Sequence, residues 1–270
     1  MLENFKKIIY EICDEENIKY KEFSNGWIIE LIKDDTIRHI VGMRFSLNDY
    51  ATASILNDKY ATFSVLKNHD IPVIEHKMFF NPITRKNYIS DFKEDDDIVK
   101  YLEVQENKSI IIKANEGSGG TKVFKCTSES DVHNIIKDIF ATNDSISVCP
   151  FYNIKCEYRL VYLKDECKLI FGKIASKDNW KHNLAQGATV VEVEDLDLIA
   201  KLEEIANKVV KVLNCNFVSI DIAQLIDNTL LVMEVNASVS ILKYSTFSEK
   251  NMKQAKEIYR QAILAIFDKK

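Results

Sequence analysis

The chain has 270 residues, 46% of them hydrophobic and 29% charged, enough apolar side chain for a folded enzyme of two or three subdomains and too much for a disordered segment. A net charge of −5 and a pI near 5.7 argue against a general nucleic-acid or anionic-membrane surface, since both need a basic field. No apolar run approaches the roughly 18 residues of a transmembrane helix, and the N-terminal run MLENFKKIIYEICDEEN carries charges throughout, unlike a signal peptide, so a cytoplasmic protein is expected.

In chain order, FKKIIYEICDEEN predicts a first helix, followed by three short strands, IKYKEFS, WIIELIK and TIRHIVG, with turns at Ser24-Asn25-Gly26 and Asp34-Asp35. These make a small α/β unit over residues 1–57. A helical stretch near 49–57 leads to Asp58, which can cap the next helix, KYATFSVLKNHD; that helix must end before Ile71-Pro72, because a residue preceding proline avoids the helical region. The strand VIEHKMFF follows. Helices at 94–106 and 128–142 flank the strand KSIIIKA, and SVCPF, EYRLVYL and KLIFGKI are later strands. Helices at about 196–214 and 248–268 close the pattern.

Three of the seven glycines fall within the segment Lys113-Ala-Asn-Glu-Gly-Ser-Gly-Gly120. Glycine permits positive φ and lets successive N–H groups approach a phosphate without side-chain obstruction. The lysine precedes the glycines, and Thr121 to Lys125 leaves as a strand, so the segment is neither a P-loop nor a GxGxxG turn. It predicts a glycine-tipped β-hairpin that can serve as a lid over a nucleotide, with a plain structural loop as the alternative.

The runs NFVSIDIAQL (216–225) and LLVMEVNA alternate apolar and polar residues around Asp227-Asn228, two residue types that accept positive φ. If Ile226 pairs with Thr229, Asp221 lies directly opposite Glu234 and Ser219 opposite Asn236, with Asn236 on the face of Glu234. Two opposed carboxylates have Cβ atoms about 5 Å apart and repel unless a cation mediates. Magnesium takes carboxylate and amide oxygens and keeps phosphate oxygens as further ligands. Taken alone, the hairpin is equally compatible with a polar edge whose acids splay into solvent.

Six cysteines, at 13, 126, 149, 156, 167 and 215, show no CxxC pair, and the five histidines form no HExxH pattern. Reduced, structural thiols are expected.

The glycine-tipped hairpin after Lys113, the strand with Glu157 and Arg159, and Asp221 followed by VMEVNAS resemble, in order, an ATP-grasp enzyme. The resemblance covers residues 58–270, beginning with Asp58-Lys59-Tyr60 and HDIPV, and is similar in flavour to the branch of glutathione synthetase, the ribosomal-protein glutamate ligase and cyanophycin-type ligases. It implies an α+β ATP-grasp fold, two α+β subdomains holding ATP between them, with a short N-terminal α/β domain at 1–57, a lid subdomain at about 88–149 and a C-terminal subdomain at 150–270. The implied activity is ATP-dependent carboxylate–amine ligation through an acyl phosphate, with ATP and magnesium as cofactors, two ions being expected and manganese an alternative.

By the same resemblance, Lys59 and Lys113 contact the phosphates, and Glu116, Gly117, Ser118, Gly119, Gly120 and Thr121 close over them. Pro150, Phe151, Tyr152 and Asn153 form the adenine hinge, and Glu157 accepts from the ribose hydroxyls. Arg159, Lys173, Lys181 and Asn183 face the transferred phosphate as catalytic residues, and Asp221, Glu234 and Asn236 hold the metal. The partners implied are a small carboxylate and an amine, a peptide among the options, with no nucleic acid or membrane and with a homodimer as a further option. Two departures concern the substrate: about 57 residues precede Asp58 where relatives carry a fuller domain, and Asn236-Ala-Ser-Val-Ser240 replaces the usual Asn-x-x-Pro-Gly. A phosphotransferase acting on a hydroxyl and a non-catalytic nucleotide-binding partner protein are the alternative functions.

Overall fold

The computed structural model describes residues 2–117, 122–177 and 179–268. Helix α1 (Leu2–Glu15) buries Phe5, Ile8, Ile9 and Ile12 along one stripe. It covers an antiparallel meander of β1 (Lys19–Phe23), β2 (Ile28–Lys33), β3 (Thr36–Val41) and β4 (Arg44–Phe45). Asp34 and Asp35 both take positive φ, 46° and 61°, the backbone that a tight turn between twisted strands demands. This unit encloses no core of its own. Phe5, Ile40 and Phe45 share one cluster with Phe217, Tyr259 and Ile263 from the C-terminal part, through edge-on ring contacts such as Phe45–Phe217 at 5.0 Å.

Asn48 fastens the exit of the meander to that part. Its Oδ1 accepts from the N–H groups of Asn216 (2.7 Å) and Phe217 (3.2 Å), and its Nδ2 donates to the Phe217 carbonyl (2.8 Å), as a strand would. Asn48→Ala strands three main-chain groups and is expected to cost about 1–3 kcal/mol in urea unfolding. A stability equal to that of the wild type would show that water replaces these bonds without loss.

Helix α2 (Tyr50–Asn57) starts at Asp49, whose Oδ1 accepts from Thr52 N–H at 2.7 Å. Asp58 ends α2 and caps α3 (Lys59–Asn68): its extended backbone, φ −107° and ψ 113°, breaks the helical run, and its Oδ1 accepts from Ala61 N–H at 2.7 Å. Lys59 is thereby held at the first helical position.

The next unit contains β5 (Lys77–Phe80), α4 (Asp95–Glu103), β6 (Ile110–Ala114), β7 (Val123–Cys126), α5 (Glu129–Phe140) and β8 (Ser145–Pro150). Its antiparallel sheet has the order β5-β8-β6-β7, and Ile98, Val132 and Ile136 of the helices pack on Ile110, Ile112 and Val148. The sheet thus begins upstream of residue 88. Only the end of VIEHKMFF joins it. Val73 instead bridges Val232 in parallel, with Val232 N–H donating to Pro72 O and Ile74 N–H to Val232 O, both at 2.9 Å, so this segment ties the lid unit to the other sheet.

That sheet has the order β11-β10-β9-β12-β13, built from β9 (Ile154–Leu163), β10 (Glu166–Ile174), β11 (Thr189–Val191), β12 (Phe217–Leu225) and β13 (Leu230–Asn236), with α6 (Leu196–Leu213), α7 (Leu242–Ser245) and α8 (Glu249–Phe267) around it. On one face Tyr158, Leu160, Ile220 and Ile222 pack against Leu202 and Val209 of α6. On the other, Val161, Phe171 and Phe217 pack toward α8, but Glu157, Arg159 and Asp221 interrupt the apolar stripe. Those charges mark where the core stops and the site begins.

The hairpin β12–β13 differs from the expected two-residue turn. Its loop is Ile226, Asp227 and Asn228, closed by Leu225 N–H to Thr229 O at 2.9 Å, with Asn228 alone at positive φ (68°). Near the loop Gln224 faces Leu230, one place out of the expected register; between Asp221 and Ile222 a bulge inserts Met233, and Asp221 then faces Glu234, Ser219 facing Asn236.

Candidate active site

Strand pairing brings the central charges together. Asp221 lies opposite Arg159 across β12 and β9, and Glu157 opposite Lys173 across β9 and β10. Arg159 grips Asp221 with two bonds, Nε to Oδ1 at 2.8 Å and Nη2 to Oδ2 at 2.6 Å, while its Nη1 donates to Ser240 O at 3.1 Å. Lys173 Nζ reaches Asp221 Oδ1 at 3.0 Å and also binds Glu157. Asp221 and Lys173 are each 3% exposed, where an unpaired charge would be costly. Burial pushes the Asp221 pKa up, but Arg159 and Lys173 together outweigh it and hold the carboxyl well below its ordinary value.

This placement alters three expectations. Lys173, expected at the transferred phosphate, has its buried ammonium turned to the carboxylates of Glu157 and Asp221. Arg159 spends its guanidinium on Asp221 and the Ser240 carbonyl, so it orients the acid and the 236–240 segment. Glu157 lies against Lys173 at the charged end, which leaves the ribose role without support from its position.

The base of the lid meets the start of α3. Lys59 Nζ donates to Gly117 O at 2.9 Å and to Asn115 O at 3.3 Å, and stands 3.5 Å from Glu234. Asn115, fully buried, accepts from Tyr60 N–H at 3.1 Å through Oδ1, and Asp58 bridges Glu116, an exposed residue. Burial lowers the Lys59 pKa, opposed by Glu234 and reinforced by the nearby charge of Lys113. His76 lies beneath, 2% exposed, its Nδ1 2.6 Å from Ser147 Oγ; burial first, then Lys113 and Lys59, keep it neutral. Glu234 and Asp58 both act on Lys59 as counter-charges, and the ammonium groups of Lys59 and Lys113 stand close to each other beside them.

A separate apolar cluster spans the two subdomains: Ile111 and Cys149 of the lid sheet, Ile74 of the tie segment, and Leu231 and Met233 of β13 around Tyr152 and Trp180. Leu231 and Met233 share a face by strand alternation, and the bulge brings Glu234 onto the same side. Phe151 is held by Lys125 Nζ at 3.6 Å from its ring centre and by the edge of Trp180 at 5.7 Å. The Phe151 N–H donates to Ser109 O (3.1 Å), and its carbonyl accepts from Asn107 Nδ2 (2.9 Å). Pro150, paired with Ile110, ends β8, and Asn153 is exposed.

In the segment 179–187, Asn183 Oδ1 accepts from Ala185 N–H at 2.8 Å, capping a short turn that Gly187 ends at φ 93°. Lys181 is half-buried with its pKa lowered by burial, its Nζ 5.3 Å from the Trp180 ring centre. Ser118, Gly119, Gly120 and Thr121, expected at the lid tip, lie outside the described residues. Met233, Ile111, Lys125, His76 and Asn115 were not singled out in the sequence. Asn115 alone carried a local signal, standing between Lys113 and the glycines.

Among the described residues no cluster of three His, Cys, Asp or Glu side chains is placed to hold a metal. The opposed Asp221 and Glu234 with the Asn236 amide nevertheless offer hard oxygen donors of the type magnesium takes, and Asp221 Oδ2 retains one lone pair beyond those used by Arg159 and Lys173. A catalytic thiol is disfavoured, since burial pushes Cys13, Cys126, Cys167 and Cys215 up to about 12. No described helix is long and apolar enough to cross a membrane.

Residues 56–261 match the model of the RimK-like ATP-grasp domain. The α-aminoadipate–LysW ligase LysX of Saccharolobus solfataricus is 25% identical over 255 residues, 87% of this chain and 86% of that protein. The D-alanyl-alanine synthetase A of Vibrio cholerae aligns with TM-score 0.68 at 14% identity, covering 96% of this chain and 92% of its own. The D-alanine–D-alanine ligase of Coxiella burnetii aligns with TM-score 0.61 at 17% identity over 80% of this chain, which spans 58% of that enzyme.

Proposed function

We infer the activity from the premise that this chain belongs to the RimK-like ATP-grasp family: it is an ATP-dependent carboxylate–amine ligase that forms an amide or peptide bond and releases ADP and phosphate. The observation that carries this reading is the meeting, at one end of the cleft, of Lys59 and nearby Lys113 with the opposed carboxylates Asp221 and Glu234. It sets ammonium donors for phosphate oxygens beside oxygen ligands for the divalent cation that travels with them.

Asp221, Glu234 and Asn236 would hold magnesium in this reading, two ions or manganese being further options, and the metal would supply charge neutralisation at the phosphates. Lys59 and Lys113 bind phosphate oxygens, and Arg159 with Lys173 and Glu157 fixes Asp221. Lys181 and the Asn183 Nδ2 approach the transferred group from the 179–187 segment. Ile74, Ile111 and Met233 would supply the apolar walls for adenine, with Tyr152 and Asn153 as the hinge beside them.

A substrate carboxylate oxygen attacks the γ-phosphorus as the bond to ADP breaks. The amine then attacks the acyl carbon, the C–O bond to phosphate breaks, and the amine gives up a proton. Lid residues 116–121 exclude water so that the acyl phosphate survives until the amine arrives. The names of the three relatives each include an amino acid, which supports an amino acid on at least one side of the bond, a peptide or small metabolite completing it.

The reading is tested by offering amino acids and dipeptides in pairs with ATP and magnesium and weighing the products. A mass equal to both substrates less water supports ligation, a stable phosphorylated product identifies phosphotransfer to a hydroxyl, and no ADP from any pair overturns the reading. Within it, Lys113→Ala is expected to raise the KM for ATP about ten- to a hundredfold, the loss of one charge-assisted bond to phosphate. An unchanged KM would remove Lys113 from the phosphate site.

A further inference from the structure

Resting on that ligase reading, we propose that Arg44 and Trp27 form a substrate-selecting pocket. Arg44 binds a carboxylate other than the one activated, and Trp27 with Val41 and Met43 holds the attached hydrocarbon. The cavity is about 140 Å³ and lies between the N-terminal meander and the Asn236–Ser238 segment. One end is the meander; the other is Asn236 and Gly117, the residue whose carbonyl Lys59 Nζ holds at 2.9 Å. A molecule seated there extends from the N-terminal unit to the phosphate end.

The walls are built rather than loose. Gly42 turns β3 into β4 at φ 59°, and a Cβ there would come within 2.7 Å of the Trp27 indole, so the ring lies directly on glycine backbone. Gly42 N–H also donates to Trp27 O at 2.8 Å. Trp27 remains 53% exposed, an apolar face that the meander leaves uncovered.

Arg44 Nη2 donates to Asn57 Oδ1 at 3.0 Å, a neutral partner that orients the guanidinium without neutralising it. Among the described lining residues Arg44 is the only charged one. A guanidinium facing a partly apolar cavity, with no counterion among the described residues of its walls, selects a carboxylate, which it can bind through two parallel bonds. Size narrows the class. Drug-sized ligands occupy roughly 300–1,000 Å³, whereas a space near 150 Å³ holds about one benzene ring. The pocket therefore takes one amino acid, or the last residue of a peptide, with a free carboxylate and a short apolar side chain.

Thermal-shift titrations with the standard α-amino acids and their carboxamides, in the presence of ADP and magnesium, test the proposal. At least one acid is expected to raise Tm more than its carboxamide does, Arg44→Ala to weaken that acid about tenfold or more, and Arg44→Lys to recover part of the loss. Trp27→Ala weakens acid and carboxamide alike. No response to any acid, equal responses to acid and carboxamide, or an acid response indifferent to Arg44→Ala overturns the pocket. The shift caused by ADP and magnesium alone reports the nucleotide site separately: its absence from the wild type sinks the ligase reading, and its persistence in Arg44→Ala shows that the variant is folded.

Discussion

Glu234→Gln is expected to lower turnover about a hundred- to a thousandfold while leaving the fold intact. The glutamate faces Asp221 across the hairpin, and its amide replacement keeps the shape but removes one of two opposed negative charges. If those charges hold the metal, several kcal/mol of transition-state charge stabilisation are lost, at about 1.36 kcal/mol per factor of ten. The structural cost is small by comparison. The partner lost is Lys59 at 3.5 Å, and a partly exposed pair of that kind contributes about 0–1 kcal/mol. Turnover at saturating ATP and metal, read beside Tm, separates the two effects. A variant within a few-fold of wild-type turnover contradicts the metal assignment, and a collapse in Tm would mean that Glu234 is structural.

Asp221→Asn should behave differently, destabilising the protein by about 3–5 kcal/mol near neutral pH, because it removes the carboxylate that directly binds both buried Arg159 and Lys173, leaving Glu157 on Lys173 and Glu234 at longer range. The pH dependence follows from the direction of the shift. Asp221 is held below its ordinary 3.8, so its contribution is complete above that value and is lost as pH falls through the lower folded-state pKa. Urea unfolding of wild type and variant from pH 7 downward should therefore show a constant gap that narrows only below about 3.8. A gap unchanged in acid would show that the variant fails through packing rather than charge.

Much of this arrangement was legible because local rules carried it. Asp58 breaks and caps helices through its own side chain, and the glycines after Lys113 announce a hairpin whatever surrounds them. The facing of Asp221 and Glu234 was also anticipated, but by two departures that cancel. The loop takes in Ile226 as well as Asp227 and Asn228, and Met233 restores the register as a bulge. Neither leaves a mark in alternation, yet the bulge is what puts Glu234 on the side of the sheet that Leu231 and Met233 share.

Pairings across distant strands were not legible. Whether Lys173 meets a phosphate or Glu157 depends on the register of β9 with β10, which the pattern of either strand leaves free. Asn115 and His76 matter only once three separate segments converge on Lys59. The N-terminal unit read as a domain because its helix and strands are individually clear. An amphipathic face does not name its partner, and Phe5 and Phe45 turn out to pack on Tyr259 and Phe217.

The central claim, that this site activates a carboxylate with ATP, is tested most directly by oxygen transfer. Once a productive pair of substrates is known, the carboxylate is labelled with 18O and the released phosphate is weighed. Passage through an acyl phosphate predicts one labelled oxygen in each phosphate, since the oxygen that attacked phosphorus leaves with it when the amine displaces it. Product formed with unlabelled phosphate would contradict the account.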